Sequence, residues 1–241
     1  MKLAKRAWRK MCVIAWQLKM WVYYVILKMT GKFPPPQSSE PPSRDKVIYL
    51  TFDDGPYKYT EQLLDILSRY NIRATFFVTN CVTHLDKLTK IAAGHTVGNH
   101  TANHIYRELY ANEESFLNAL CQMEDIILEK TGIRTTLFRF PGGSMSINRH
   151  TSQKDMPLRL IQLLQDRGYR YIDWDIDSRD TADARTPGAV FKNVISGVRN
   201  RPETVVLQYE IKKFSVSAVE AIIVWGLKNG YTFFSAGIDH L

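Results

Sequence analysis

Residues 47–56 read VIYLTFDDGP, and the fold is read outward from them. Val47–Phe52 is an unbroken run of β-branched, aromatic and leucine side chains, which predicts a strand. Asp53 and Asp54 stand at its end, and Gly55-Pro56 turns the chain sharply. A helix follows over Thr60–Tyr70, where Leu63, Leu64, Ile66 and Leu67 form one apolar stripe, and a second strand, Ala74–Thr79, comes directly after it.

The alternation continues along the chain. Helical patterning near Leu85–Ala93 precedes a short extended piece around Thr96–Gly98, a long amphipathic helix over Glu113–Lys130 and a strand over Thr136–Phe140. Later units pair helix Met156–Arg167 with strand Tyr169–Ile176, helix Pro187–Arg199 with strand Thr204–Tyr209, and helix Val216–Asn229 with strand Tyr231–Phe234. Strands separated by helices and short loops imply parallel pairing through right-handed crossovers, hence an α/β fold. About seven such units predict a (β/α) barrel of about seven parallel strands, whose chemistry sits on the loops after the strands' C-terminal ends.

With 241 residues, 45% hydrophobic and 23% charged, the chain suits one core domain with a short appendage. Residues 1–29 combine a basic start (Lys2, Lys5, Arg6, Arg9, Lys10) with the apolar stretch Met11–Met29, interrupted by Gln17 and Lys19. Its length is close to the roughly 20 residues of a spanning helix, and no small-residue cleavage site follows it. The readings are an uncleaved membrane anchor with a cytoplasmic N-terminus, an interfacial amphipathic helix, or a helix packed on the domain. Residues 30–46, with Pro34-Pro35-Pro36 and Pro41-Pro42, read as a stiff linker, and residues 47–241 as the domain. The net charge of +8 sits largely at the N-terminus, no nucleic-acid motif is present, and the basic excess suits an anionic membrane or wall polymer. Cys12, Cys81 and Cys121 are odd in number and widely spaced, so they form neither a disulfide framework nor a CxxC knuckle.

Three clusters at strand ends carry the chemistry. Adjacent carboxylates such as Asp53 and Asp54 raise each other's pKa unless something positive offsets them, and a divalent metal does so economically. Side chains alternate on an extended chain, so one carboxylate is free to bind a metal while the other stays a base; an acidic turn is the plainer reading. His100 and His104 lie four apart in GNHTANH, residues 98–104, a spacing that brings two imidazoles to one metal in a helix or tight turn. Asp54, His100 and His104 together would leave positions open for water and substrate. Arg139, in FRFPGGS at 138–144, needs an anionic partner, for which DWDIDSRD at 173–180 offers candidates; a structural salt bridge is the alternative.

Taken together, TFDDGP, HTxxH and RFPGG in this order resemble the polysaccharide deacetylase family, carbohydrate esterase family 4, or NodB homology domain, over roughly Val47 to Phe234. The resemblance implies a distorted (β/α) barrel and a divalent metal, zinc or an ion such as cobalt, on Asp54, His100 and His104. It makes Asp53 the general base for the water that attacks the acetamido carbonyl of an N-acetylated sugar. Arg139 would hold Asp53 ionised, Asp180 would tether Arg139, backbone N–H near Tyr57 would serve the oxyanion, and Pro141 and Leu207 would line the substrate site. Two positions depart from the family's pattern. Thr181 stands where a Trp usually follows Asp180, and Tyr209 stands where the family's Leu-x-His places the acid. A phenol near pKa 10 suits acid catalysis poorly at neutral pH.

The expected function is therefore a membrane-anchored, extracytoplasmic hydrolase removing N-acetyl groups from a cell-wall glycan such as peptidoglycan. A catalytically weakened glycan-binding or sensing protein of the same fold is the alternative, and a purely structural membrane-associated protein is the third reading.

Overall fold

All strand pairings in the computed structural model are parallel, since with one exception each strand is followed by a return over the outside of the sheet. The structure describes residues 21–22, 24–31, 46–82, 84–199 and 201–237. The strands are β1 (Val47–Gly55), β2 (Thr75–Val78), β3 (Thr96–Asn99), β4 (Leu137–Phe138), β5 (Arg170–Tyr171), β6 (Ile176–Asp177), β7 (Glu203–Tyr209) and β8 (Thr232–Phe234). They lie in the order β5-β4-β3-β2-β1-β7-β6, with β8 added to the N-terminal part of β1. A helix over residues 21–30, residue 23 aside, is α1. It is followed by α2 (Thr60–Arg69), α3 (Leu88–Ala92), α4 (Tyr106–Leu109), α5 (Glu113–Thr131), α6 (Met156–Asp166), α7 (Pro187–Val198) and α8 (Lys213–Lys228).

β1 lies inside the sheet, between β2 and β7, and is buried on both faces. Alternation divides it: Ile48, Leu50 and Phe52 join the core beneath the outer helices, whereas Val47 and Tyr49 pack with Phe77, Leu137 and Ile172 inside the barrel. Thr51 and Asp53 share the parity of Tyr49 and so continue the inner face toward the mouth. On β3, Gly98 is paired with Phe77 of β2, and the Phe77 ring lies across it, for a Cβ on Gly98 would lie 2.5 Å from that ring.

The exception is the predicted strand Tyr169–Ile176. It is two short strands at opposite ends of the sheet, and among the described residues no pairing joins β5 to β6, so the barrel is open there and distorted. The physical reason lies between them: the carbonyls of Ile172 and Asp173 accept from the guanidinium of Arg139, which draws this backbone away from a continuous ladder. The short helix α4, directly after His104, has too few residues to show a period and was not expected.

Of the expected N-terminal hydrophobic helix, residues 11–20 lie outside the described residues, as do residues 32–45 of the linker. The part described, α1, packs on the domain. Trp21 rests against Phe191 of α7 (ring centroids 6.0 Å apart), Tyr24 and Leu27 are buried, and the Tyr24 hydroxyl donates to Glu220 of α8 at 2.6 Å. Burying Leu27 alone is worth roughly 1.5–3 kcal/mol. Glu220 is itself buried and also accepts from Arg69 (2.5 Å) and Tyr70 (3.3 Å), with Lys28 at 3.6 Å. Among the described residues no helix is long and apolar enough to cross a membrane.

Candidate active site

The first functional loop is made by a bulge in β1. Asp53 pairs with Phe77 and Gly55 with Val78 on β2, so Asp54 is the extra residue, held at φ 65°. A bulge re-aims the side chain it carries. Asp54 therefore does not point to the opposite face from Asp53, as strict alternation predicts, and both carboxylates approach His100 (Asp53 Oδ2 at 3.6 Å, Asp54 Oδ1 at 3.5 Å). The next residue has to be glycine, because a Cβ on Gly55 would lie 1.3 Å from Oε1 of Glu210. Glu210 is wholly buried beneath this turn. Its Oε2 accepts from the Thr60 hydroxyl (2.6 Å), whose oxygen accepts the Tyr57 N–H (2.7 Å). Burial pushes the Glu210 carboxyl up to about 8, against the opposing pull of the Thr60 bond, so it is neutral at pH 7.

The second loop leaves β3. The Asn99 side chain donates to the Leu120 carbonyl and accepts the Thr101 N–H. Thr101, at φ 65°, sends its hydroxyl to the carbonyl of Asn103. This is a tight turn and not a helix, and it folds His104 back toward His100. The two Nε2 atoms are 3.3 Å apart, and Asp54 Oδ1 is 3.5 Å from His100 Nε2 and 3.4 Å from His104 Nε2.

These three spacings test the fit of a metal. Ligands about 2.0–2.1 Å from a tetrahedral zinc stand about 3.4 Å from each other, which is the observed triangle. His100 Nδ1 lies 2.9 Å from the Arg139 carbonyl, which can only accept, so Nδ1 carries the proton and Nε2 presents its lone pair to the other donors. Burial also holds His100 neutral, its pKa lowered to about 3. The contacts of His100 with Asp53 and Asp54 are thus convergent ligand atoms and not ion pairs of a charged imidazole. Among the described residues this is the one group of three such side chains whose ligand atoms converge, all within 4.8 Å of one another.

Arg139 follows β4 and is completely buried. Nη1 donates to Asp53 Oδ1 and to the Thr51 hydroxyl, both at 2.8 Å; Nε donates to the Ile172 carbonyl (2.8 Å) and Nη2 to that of Asp173 (3.1 Å). The Phe77 ring covers its plane, 4.1 Å from centroid to Cζ. Asp53 is thereby fixed through Oδ1, while Oδ2 faces the histidines. Burial raises its pKa to about 6 although Arg139 pulls it down.

Asp180 does not tether Arg139. It lies beside β7, where it accepts the Tyr209 N–H at 2.9 Å, and the Arg139 donors that were expected to reach it are taken by Ile172 and Asp173 carbonyls. Tyr209 pairs with Asp53 in register across β1 and β7. Burial, then the charges of Asp53 and Asp54, hold its hydroxyl well above the ordinary tyrosine range. Leu207 is buried two residues before it on the same face. The Tyr57 N–H, expected near an oxyanion, is engaged by Thr60, and the Tyr57 ring meets Tyr59 and His84 instead. Pro141 is buried, and its carbonyl accepts from Tyr110 (2.7 Å).

Sequence reasoning missed Tyr106 and His150. Tyr106 sits edge-on to His104 (5.2 Å) and stacks on His150 (4.4 Å), an aromatic wall beside the candidate ligand triangle. Burial, then Asp54 and Asp53, raise the Tyr106 pKa. No spacing in the sequence signals it.

Residues 40–161 match the family model for polysaccharide deacetylases. The chain belongs to the polysaccharide deacetylase family. The catalytic domain of the peptidoglycan N-acetylglucosamine deacetylase from Eubacterium rectale is 42% identical, superposes with a TM-score of 0.74, and covers 87% of this chain and 94% of that one. A polysaccharide deacetylase from Bacillus cereus is 30% identical, with a TM-score of 0.71 and coverage of 81% and 94%. Among curated proteins, a peptidoglycan-N-acetylglucosamine deacetylase of Bacillus cereus is 34% identical over 78% of this chain and 68% of its own length. That of Listeria monocytogenes is 30% identical over 82% of this chain, which spans only 39% of that relative. Polysaccharide deacetylases are generally metal-dependent, and Asp54, His100 and His104 supply a fitting ligand set.

Proposed function

We propose that this protein is a metal-dependent hydrolase that removes N-acetyl groups from amino sugars of a cell-wall polysaccharide, peptidoglycan foremost. The observation that carries the proposal is the triangle of Asp54, His100 and His104 with Asp53 leaning over it, one oxygen held by Arg139. The relatives in Eubacterium, Bacillus and Listeria are peptidoglycan N-acetylglucosamine deacetylases, which supports peptidoglycan as the substrate class. A divalent ion, zinc or cobalt among others, would lower the pKa of a water and polarise the acetyl carbonyl when bound there. Asp53, whose Oδ2 lies 3.6 Å from His100 Nε2, would serve as the base that takes a proton from the attacking water. Attack forms the new C–O bond, and the C–N bond then breaks to release acetate and the free amine.

The leaving nitrogen needs a proton, and the acid position holds Tyr209. Its phenol is neutral and raised further by Asp53 and Asp54, which makes it a weak donor. That observation favours a second reading, a weakened enzyme that retains glycan binding. Proton transfer is typically worth about 10²–10⁴-fold. Acetate release from N-acetylglucosamine oligomers with added zinc or cobalt tests both readings. Release by wild type that disappears in Asp53→Asn supports the hydrolase; no release by wild type but release by Tyr209→His overturns it in favour of the binding role.

We also propose that the chain is attached to the membrane through its N-terminal region with the domain outside the cytoplasm, where the wall lies. Protease access to the domain in protoplasts, without lysis, tests this.

A further inference from the structure

Helix α1 has two apolar faces. Trp21, Tyr24 and Leu27 are turned to the domain, while Val22, Val25, Ile26 and Met29 are 48%, 40%, 50% and 82% exposed. At 100° per residue those four fall within an arc of about 100° on the side away from α7 and α8. Of the eight large apolar side chains exposed among the described residues, four sit on this one helix, so it is a patch and not the usual scatter.

The charge distribution says what covers it. The first 39 residues contain eight Lys and Arg, from Lys2 to Lys32, and no Asp or Glu; Glu40 is the first acid. The whole chain's excess is also +8, so residues 40–241 are neutral, with 24 basic and 24 acidic residues. An apolar stripe within the stretch that accounts for the whole net charge of the chain fits an anionic bilayer surface, where apolar side chains sink to the level of the head groups and cations meet the lipid charge. A second copy of the chain would set like charge on like charge.

We infer that the Val22–Met29 stripe lies in the interfacial zone of an anionic membrane, and that the domain is thereby seated directly on the bilayer. Because Tyr24 and Leu27 are buried in the domain, α1 and the domain move as one body. The Pro-rich residues 32–45 therefore join α1 to β1 and do not set the distance between membrane and domain. The inference rests on the proposed membrane attachment and is independent of the chemistry at Asp53.

The test uses the full chain with its three cysteines replaced by serine, and a single cysteine introduced by Met29→Cys or, as control, by Leu158→Cys on α6, which is 73% exposed. Each is labelled with an environment-sensitive fluorophore and mixed with vesicles of phosphatidylcholine and phosphatidylglycerol. Expected are flotation of the chain, a blue shift at position 29 with quenching by head-group-proximal spin-labelled lipid, and no change at position 158. Ile26→Glu with Met29→Glu should weaken vesicle binding by roughly tenfold or more. Flotation with a water-like signal at position 29 overturns the inference and leaves attachment standing, as does quenching strongest from the bilayer centre. Loss of flotation overturns both. A dimer in solution that the double Glu substitution dissolves overturns it in favour of a second copy.

Discussion

Replacing Glu210 with glutamine tests how the turn that carries Asp53 and Asp54 is supported. The buried carboxyl, raised from 4.5 to about 8, binds its proton more tightly in the folded state than in the unfolded one. Its contribution to stability is therefore whole below pH 4.5 and is withdrawn as the pH rises through 8. At about 1.36 kcal/mol per pH unit, full withdrawal amounts to roughly 5 kcal/mol, of which roughly 1.4 kcal/mol falls between pH 7 and 9. Glutamine keeps the shape and an oxygen for the Thr60 hydroxyl, and it does not ionise. Urea unfolding of the metal-free protein at pH 6 to 9, in chelator, should thus show wild type losing ground to Glu210→Gln by about 1.4 kcal/mol over those last two pH units. Parallel curves, with glutamine less stable throughout, would mean that Glu210 is ionised or hydrated at neutral pH, and the reasoning would fail.

Three further outcomes follow from the same geometry. Gly55→Ala forces a Cβ onto Glu210 and should cost more than about 4 kcal/mol, partly restored when Glu210→Ala is added, so a double-mutant cycle in chemical denaturation should be strongly non-additive. Arg139→Met leaves Asp53 buried without its cation; unfolding should become easier by about 3–5 kcal/mol. On the proposed mechanism Asp53 must be ionised, and Arg139 lowers its pKa, so the pH–rate profile of deacetylation should rise at a higher pH in this variant than in wild type. Asp54→Ala and His104→Ala each remove a corner of the ligand triangle, and metal analysis should find the roughly one ion per chain of wild type lost from both.

The parts of the site that were legible in the sequence are those where residue type alone dictates chemistry. A pair of aspartates at a strand end, histidines four apart and an arginine in an apolar run need partners wherever they fold, and the structure brings Asp53, Asp54, His100, His104 and Arg139 together. Asp180 was assigned to the wrong partner because a sequence offers side-chain anions as candidates and gives no view of main-chain carbonyls. Arg139 is satisfied by Ile172 and Asp173 through their backbones. The single strand expected over Tyr169–Ile176 is divided for the same reason, since β-propensity does not register a guanidinium that captures two carbonyls.

Hydrophobic period and turn chemistry, both local, were enough to determine an α/β barrel and the order in which its loops arrive. The positive-φ bulge at Asp54, the neutral Glu210 that forbids a side chain at Gly55, the aromatic wall of Tyr106 and His150, and the docking of α1 through Tyr24 and Leu27 were decided only by the tertiary structure. Each depends on groups tens to almost two hundred residues apart meeting in a space from which water is excluded. The cost of an unpaired charge or an overlapping atom there is set by neighbours that no local pattern names.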